Sequence, residues 1–219
     1  MRHIHVIYRL SLFIAVQCLG AIPAGAQYLN ERNWRIELEQ PDRSSVHFCK
    51  DTLTINSSKG ATVWYDSLLS GDYEIRYKRT FILDGGDNDR LSDMNQFWNA
   101  SDSGGLLKRR SGQFREYDNL LLYYFGIGGN KNTTSRLRRY NGKGERVLLR
   151  DLDSTYLLKP GITYSVRTVV SNGRTQVWMD GKRYFDYTDP SPITSGYFGF
   201  RTTHSHQKIW DFQIKASGK

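Results

Sequence analysis

Apolar and polar residues alternate with period two through most of this chain, and the alternation is broken by Gly, Asn and Asp turns. Tyr73, Ile75, Tyr77 and Phe81 alternate with Glu74, Arg76, Lys78 and Thr80, the pattern of a half-buried strand. Ile162, Tyr164 and Val166 alternate with Thr163, Ser165 and Arg167 in the same way. That strand meets Asn172-Gly173, a two-residue hairpin turn, and the return run Thr175 to Met179 ends at a second hairpin signal, Asp180-Gly181, before Arg183-Tyr184-Phe185. The run from Ile209 to Ile214 is predicted to place Trp210, Phe212 and Ile214 on one face, with Asp211 and Gln213 on the other. Helical periodicity is confined to short pieces, around Asp66 to Leu69 and Gly112 to Glu116. Two turn-rich stretches, Asp84 to Asp93 and Asn141 to Thr155, read as long loops. The expected fold class is all-β, an antiparallel β-sandwich of jelly-roll type. With no repeat of 20 to 50 residues, propellers and solenoids are excluded.

Composition narrows the setting. Arg2 and Arg9 precede the apolar run Leu10 to Leu19, and Ala24-Gly25-Ala26 forms an A-x-A cleavage site, so residues 1–26 read as a signal peptide and 27–219 as a single domain. Cys18 gives a rival reading as a lipid anchor, but Gln17 is not the small residue such sites favour. The expected location is outside the cytoplasm, periplasmic or extracellular. After residue 26 no apolar run approaches the roughly 18 residues of a membrane helix. Cys49 is then the lone cysteine, read as a small buried hydrophobe and not as a nucleophile. The chain carries a net charge of +9, yet no nucleic-acid-binding motif accompanies it, so a nucleic-acid partner is not expected.

A resemblance adds to this reading. Gly60-Ala61-Thr62-Val63-Trp64-Tyr65, the strand opening Gly71-Asp72-Tyr73-Glu74-Ile75, and Thr194 to Thr203 resemble the concanavalin/laminin-G-like superfamily. Asn88 to Trp98 and Tyr124 to Thr134, followed by Arg136 to Tyr140, resemble an exported family of bacterial polysaccharide-utilisation systems. The resemblance implies a jelly roll working on plant or microbial acidic polysaccharide, in clusters that handle rhamnogalacturonan-like glycans. It implies no particular reaction.

The residues themselves offer a basic, aromatic constellation. Strand alternation puts Arg136, Arg138 and Tyr140 on one face, and Arg201 shares a face with Thr203 on another strand. Guanidinium groups grip carboxylates bidentately while sugar rings stack on aromatics; a charged edge strand is the competing explanation. A lyase acting on uronates must neutralise the carboxylate, remove the adjacent proton and protonate the leaving oxygen. Candidates for catalysis are His204, His206, Tyr140, Tyr124 and Arg138, and for substrate binding Arg136, Arg201, Asn95, Asn130 and Trp98. Trp178 and Tyr123 are further candidates for a stacking platform, whereas Trp210 and Trp64 read as core residues.

A glycosidase needs two opposed carboxyl groups. The E-x-D-x-x-E signature of jelly-roll glucan hydrolases is broken, since Glu116 and Asp118 are followed by Leu121; Glu37 and Glu39 read as a solvated edge, leaving Asp89 and Asp93 as candidate acids. There is no G-x-S-x-G nucleophile elbow. His204 and His206 form an H-x-H pair without an obvious third ligand, so no transition-metal site is expected. Asp84, Asp87 and Asp89 carry oxygens suited to Ca²⁺, without EF-hand spacing; no other cofactor is required. Gly126 to Gly129 follows a strand but precedes no helix, so it is a bend and not a phosphate cradle. The expectation is an exported protein acting on an acidic polysaccharide by β-elimination. Its rivals are a non-catalytic carbohydrate-binding module and a glycoside hydrolase using Asp89 and Asp93.

Overall fold

A computed structural model describes residues 29–216. The segment expected to be a signal peptide, its expected cleavage site and Cys18 lie outside these residues. In chain order the strands are β1 (Trp34–Leu38), β2 (Ser45–Cys49), β3 (Thr52–Tyr65), β4 (Leu69–Ser70), β5 (Tyr73–Phe81), β6 (Met94–Ser101) and β7 (Leu121–Gly128). They continue with β8 (Thr134–Asn141), β9 (Arg146–Leu152), β10 (Thr163–Ser171), β11 (Arg174–Met179), β12 (Lys182–Thr188) and β13 (Ser195–Ala216).

Two long strands organise everything else. The first half of β13 pairs with β6 and with the second half of β3; the second half of β13 pairs with β5 and with the first half of β3. One sheet therefore runs β9-β8-β7-β6-β13-β3-β1, and the other runs β12-β11-β10-β5-β13-β3-β2. The changeover in β13 is a bulge between Thr203 and Ser205, where His204 takes a left-handed φ of 48°. All these pairings are antiparallel, and the result is the expected jelly-roll sandwich.

Alternation explains the core. Ile75, Tyr77, Val166 and Val177 of the second sheet face Trp98, Tyr123, Phe125, Phe198 and Phe200 of the first, all in one buried cluster. Each such side chain contributes about 1.5–3 kcal/mol by leaving water. A polar seam crosses this core: Tyr77 Oη donates to Gln96 Oε1 (2.8 Å), and Gln96 Nε2 donates to Thr168 Oγ1 (2.7 Å). Satisfied polar groups in a dry interior fix how the sheets register on each other.

The outer face of the first sheet is also partly apolar. Trp64, Phe97, Leu122, Tyr124 and Tyr140 form a second cluster beneath the segment 102–120, which contributes Leu107, Tyr117 and Leu120. Glu37 ties this layer together. Expected at a solvated edge, it is 2% exposed and accepts hydrogen bonds from Trp64 Nε1 (2.9 Å), Tyr117 Oη (2.8 Å) and the Arg110 amide (2.8 Å).

Other expectations are corrected. The loop expected over Asn141 to Thr155 contains β9, an edge strand paired, among the described residues, only with β8. Neither helical piece is a helix: Gly112 to Glu116 runs into a 3-10 turn, Phe114–Tyr117, and Asp66 to Leu69 leads into β4. Cys49 is exposed, because it ends β2, which pairs only with β3. Trp210 is only partly buried, while Ile209, Phe212 and Ile214 face the core. A bulge between Trp210 and Gln213, with Asp211 at φ 56°, shifts the alternation by one residue.

Candidate functional site

A cleft of about 330 Å³ opens on the outer face of the first sheet. Neighbouring strands supply its floor. Register places Arg201 of β13 opposite Asn95 of β6, Asn95 opposite Gly126 of β7, and Gly126 opposite Arg136 of β8. Arg138 lies opposite Tyr124 on the same two strands. Side chains on one face of adjacent strands converge, so residues far apart in sequence meet here.

Gly126 is a requirement of this floor. A Cβ there would lie 2.1 Å from Tyr124 Oη and 2.7 Å from Asn95 Oδ1, so only glycine lets those two polar groups come together. One wall is a tight turn after β7. Gly128, Asn130, Lys131 and Asn132 all have left-handed φ, and Asn132 holds the turn by bonding the Leu158 amide (2.9 Å) and carbonyl (3.0 Å). Consecutive left-handed non-glycine residues are strained, and such turns cluster at functional sites. Asn130 and Lys131 line the cleft.

The charges are unevenly paired. Arg136 is bound to Asp151 (3.1 Å) and Arg90 to Asp93 (3.2 Å). Arg138 and Arg201 form no ion pair among the described residues. Arg201 is wholly buried: its Nη1 donates to Thr62 Oγ1 (2.8 Å) and the Gly112 carbonyl (3.0 Å), and its guanidinium lies 4.8 Å from the rings of both Phe114 and Tyr117. Its Nε and Nη2 have no hydrogen-bond partner among the described residues, nor do Arg138 Nε, Arg90 Nε, Asn95 Oδ1 or Tyr140 Oη, all buried atoms. Unsatisfied polar atoms are rare in folded proteins and mark places where something else completes the bonding.

Burial raises the Asp93 carboxyl above the usual carboxylate range, against the opposing influence of Ser92, Arg90, Asn95 and Arg201. Its Oδ2 accepts from Ser92 Oγ and Arg90 Nη2, and Asn95 Nδ2 approaches Oδ1 at 3.5 Å. Burial also raises the Tyr124 phenol, with Tyr140 and Asp93 adding to the effect. At neutral pH Tyr124 therefore keeps its proton.

The structure brings together Arg136, Arg138, Arg201, Asn95, Asn130 and Tyr124, and adds Asp93, Arg90 and Lys131. It does not bring in the rest. Tyr140 sits behind the cleft in the aromatic layer, 0% exposed, its phenol pushed up to about 12 chiefly by burial. Trp98 is also fully buried, on the opposite face of β6, stacked on Tyr123 at 5.6 Å; adjacent residues of a strand point to opposite faces, so it presents no surface to a sugar. Tyr123 is likewise in the core, donating to Asp189.

His204 sits at the β13 bulge and His206 just beyond it, and neither lines the cleft. They hold the loop after β5 instead: His204 Nε2 contacts the Asp87 carbonyl (3.0 Å), and His206 Nδ1 contacts Asp89 Oδ1 (2.8 Å). Asp89 is committed there, since its Oδ2 also accepts the amides of Asp84 (2.7 Å) and Gly86 (3.1 Å). Burial opposes its ionisation, but the bonds from Gly86, His206 and Asp84 outweigh it and hold the carboxyl below its usual range. This accounts for two corrections. Asp84, Asp87 and Asp89 do not gather as calcium ligands, and no cluster of three or more His, Cys, Asp or Glu able to hold a metal exists among the described residues. The Asp89 and Asp93 pair is split, with Asp93 alone in the cleft. Glu116 and Asp118 lie at the 3-10 turn and bind Ser111 and Arg146, not substrate.

Sequence reasoning missed Arg79. It occupies an inward position of β5, is 0% exposed, and donates from Nη1 to the Asn95 carbonyl (2.9 Å) and from Nη2 to the Arg201 carbonyl (3.1 Å). From the far sheet it braces the backbone of two cleft residues. Its signal was a charged residue at an apolar phase of the alternation Tyr73, Ile75, Tyr77, Phe81.

The sequence profile of a domain of unknown function, DUF6250, matches residues 55–212. No curated protein matches the chain in sequence. Among solved structures, a protein of unknown function with a galectin-like fold from Bacillus subtilis is similar, at 15% identity and a TM-score of 0.65, over 84% of this chain and 90% of that one. The carbohydrate-binding module CBM66 from Bacillus subtilis aligns at 11% identity and a TM-score of 0.58, covering 84% and 96%. The exoplasmic/lumenal domain of VIP36, in a Ca²⁺/Man3GlcNAc-bound form, aligns at 14% identity and a TM-score of 0.59, covering 85% of each chain. At these identities the likeness is one of fold. Among the described residues no helix is long and apolar enough to cross a membrane.

Proposed function

The chain belongs to the DUF6250 family, and we propose that its cleft binds a carboxylate-bearing saccharide, part of an acidic polysaccharide met outside the cytoplasm. The observation that carries this reading is the pair Arg138 and Arg201, cationic, in no ion pair among the described residues, and holding unpartnered N–H groups at one cleft. A carboxylate entering there gains charge-assisted hydrogen bonds, each worth about 1.5–3 kcal/mol. Arg138, half-buried, contacts it directly, while Arg201 supplies positive potential from the floor. Asn95, Asn130 and Tyr124 add the polar contacts that orient sugar hydroxyls. The saccharide-binding neighbours named above share the scaffold and support a carbohydrate ligand.

One observation favours a second step, β-elimination: Asp93 and Tyr124 lie in the same cleft, and burial makes the Asp93 carboxylate, when ionised, a stronger base than an ordinary aspartate. Ionised Asp93 takes the proton adjacent to the uronate carboxylate, the electron pair forms the ring double bond, and the glycosidic oxygen leaves with the Tyr124 proton. Arg138 and Asn95 stabilise the enolate-like charge. In this scheme Asp93 takes the base role expected of His204 or His206.

Calorimetric titration with hexagalacturonate tests binding. Arg138→Gln is expected to weaken it roughly ten- to hundredfold, consistent with loss of one charge-assisted contact. Unchanged affinity in the folded variant overturns the site. Absorbance of an unsaturated uronate on incubation with rhamnogalacturonan, glucuronan or alginate separates the two steps: its appearance establishes the lyase, and binding without it establishes a binding module.

A further inference from the structure

A second surface lies on the opposite outer face of the sandwich. Register aligns Trp178 of β11, Arg167 of β10, Arg76 of β5 and Gln213 of β13 in one row across four adjacent strands. At the usual spacing between strands this row is roughly 14 Å long. The next row aligns Ser165, Lys78 and Trp210. A groove of about 490 Å³ runs here, lined by Trp178, Arg167, Arg76, Lys78, Asp211 and Gln213.

Two bulges bracket the groove, one between Val177 and Trp178 and one between Trp210 and Gln213. The second turns Trp210 out of the core, where uninterrupted alternation would have buried it. Trp178 and Trp210 are both partly exposed, and neither joins the buried cluster. The Trp178 indole Nε1 is buried without a hydrogen-bond partner, and Arg183 lies 5.7 Å from its ring. Arg76 and Arg167 both direct Nε to the single carboxylate of Glu74, and their Nη groups form no hydrogen bond among the described residues. Lys78 is paired with Asp211 at 3.2 Å.

We infer that this groove, together with the row beside it, is a second saccharide-binding site, taking an anionic oligosaccharide whose rings lie against Trp178 in the groove and Trp210 in the adjacent row and whose acid groups meet the Nη edges of Arg76 and Arg167. Indole faces bind apolar ring surfaces, and guanidinium edges bind carboxylates or sulfates, so the pair selects a charged sugar over a neutral one. The inference takes only its ligand class from the proposed function of the cleft; the groove shares no residue with it.

The test is two-dimensional NMR of the indole N–H signals during titration with hexagalacturonate and, separately, a heparin-derived hexasaccharide. Titration of Arg138→Gln, whose cleft is impaired, is expected to move the Trp178 and Trp210 signals as in the unaltered protein. The double variant Arg76→Gln/Arg167→Gln, which leaves the indoles and core untouched, is expected to weaken that response at least tenfold and to lower calorimetric stoichiometry from two sites to one. Indole signals unmoved by both saccharides, or an undiminished response in the double variant, overturn the groove. Loss of all indole response in Arg138→Gln also overturns it, because the signals then report only the cleft. A response at the indoles with none at the cleft leaves the groove standing and rejects the cleft.

Discussion

Asp93 alone, among the described residues, brings a carboxyl group to the cationic cleft, and its protonation sets how much positive charge the cleft shows. Its folded pKa is raised, so the folded state holds the proton to higher pH than the unfolded state does. The stability it contributes is complete below the ordinary aspartate pKa and is lost as pH rises through the folded value. Ligand binding follows the same sign, since ionised Asp93 repels an anionic sugar and competes with it for Arg90 and Arg201. Affinity for hexagalacturonate is therefore expected to fall as pH rises through this titration, and Asp93→Asn should flatten the profile while raising affinity at neutral pH. A variant that retains the wild-type pH profile removes Asp93 from the cleft electrostatics. If elimination occurs, the same substitution should abolish it, because an amide cannot accept the proton.

At the scale of elements, β5 shows how one sheet positions a site on the other. Arg79 is buried among Tyr77, Gln207 and two main-chain carbonyls, and burial lowers its pKa to about 10, leaving it charged at neutral pH. Replacing it by Met fills similar space but strands the Asn95 and Arg201 carbonyls and Gln207 Oε1. The expected cost is on the order of 3 kcal/mol of stability, read by denaturant unfolding, together with weaker saccharide binding. Wild-type stability would show that these carbonyls find other partners. The strands themselves were legible, because the alternation in β5, β10 and β11 is unbroken. β9 was not: Val147, Leu148 and Leu149 run together without period-two alternation, and Val147 and Leu148 stay exposed on this edge strand. Trp210 was misplaced because the bulge at Asp211 adds one residue to the count, which period-two reasoning cannot detect.

At the scale of the whole molecule, two hollows lined by basic side chains lie on opposite faces, each floored by side chains from adjacent strands. The shared face of Arg136 and Arg138 was readable, since alternation along one strand fixes which of its residues point the same way; that Arg201 of another strand joins them was not. Pairing was not readable: only register shows that Asn95 and Gly126 lie between Arg201 and Arg136. His204 and His206 look equally chemical in the sequence, yet the bulge at His204 sends them to a loop anchor. Trp98 differs from Phe97 by one step along β6 and so belongs to the core, which no feature of its local sequence announces.

The central claim is that guanidinium groups left unpaired by the protein grip a sugar carboxylate. NMR of the arginine Nε–H signals during titration with hexagalacturonate addresses it most directly. The account predicts saturable shifts of the Arg138 and Arg201 signals, and none with the same hexasaccharide after its carboxyls are reduced to alcohols. Arg138 and Arg201 signals that stay fixed while other arginines respond, or that move equally with the reduced sugar, would contradict it.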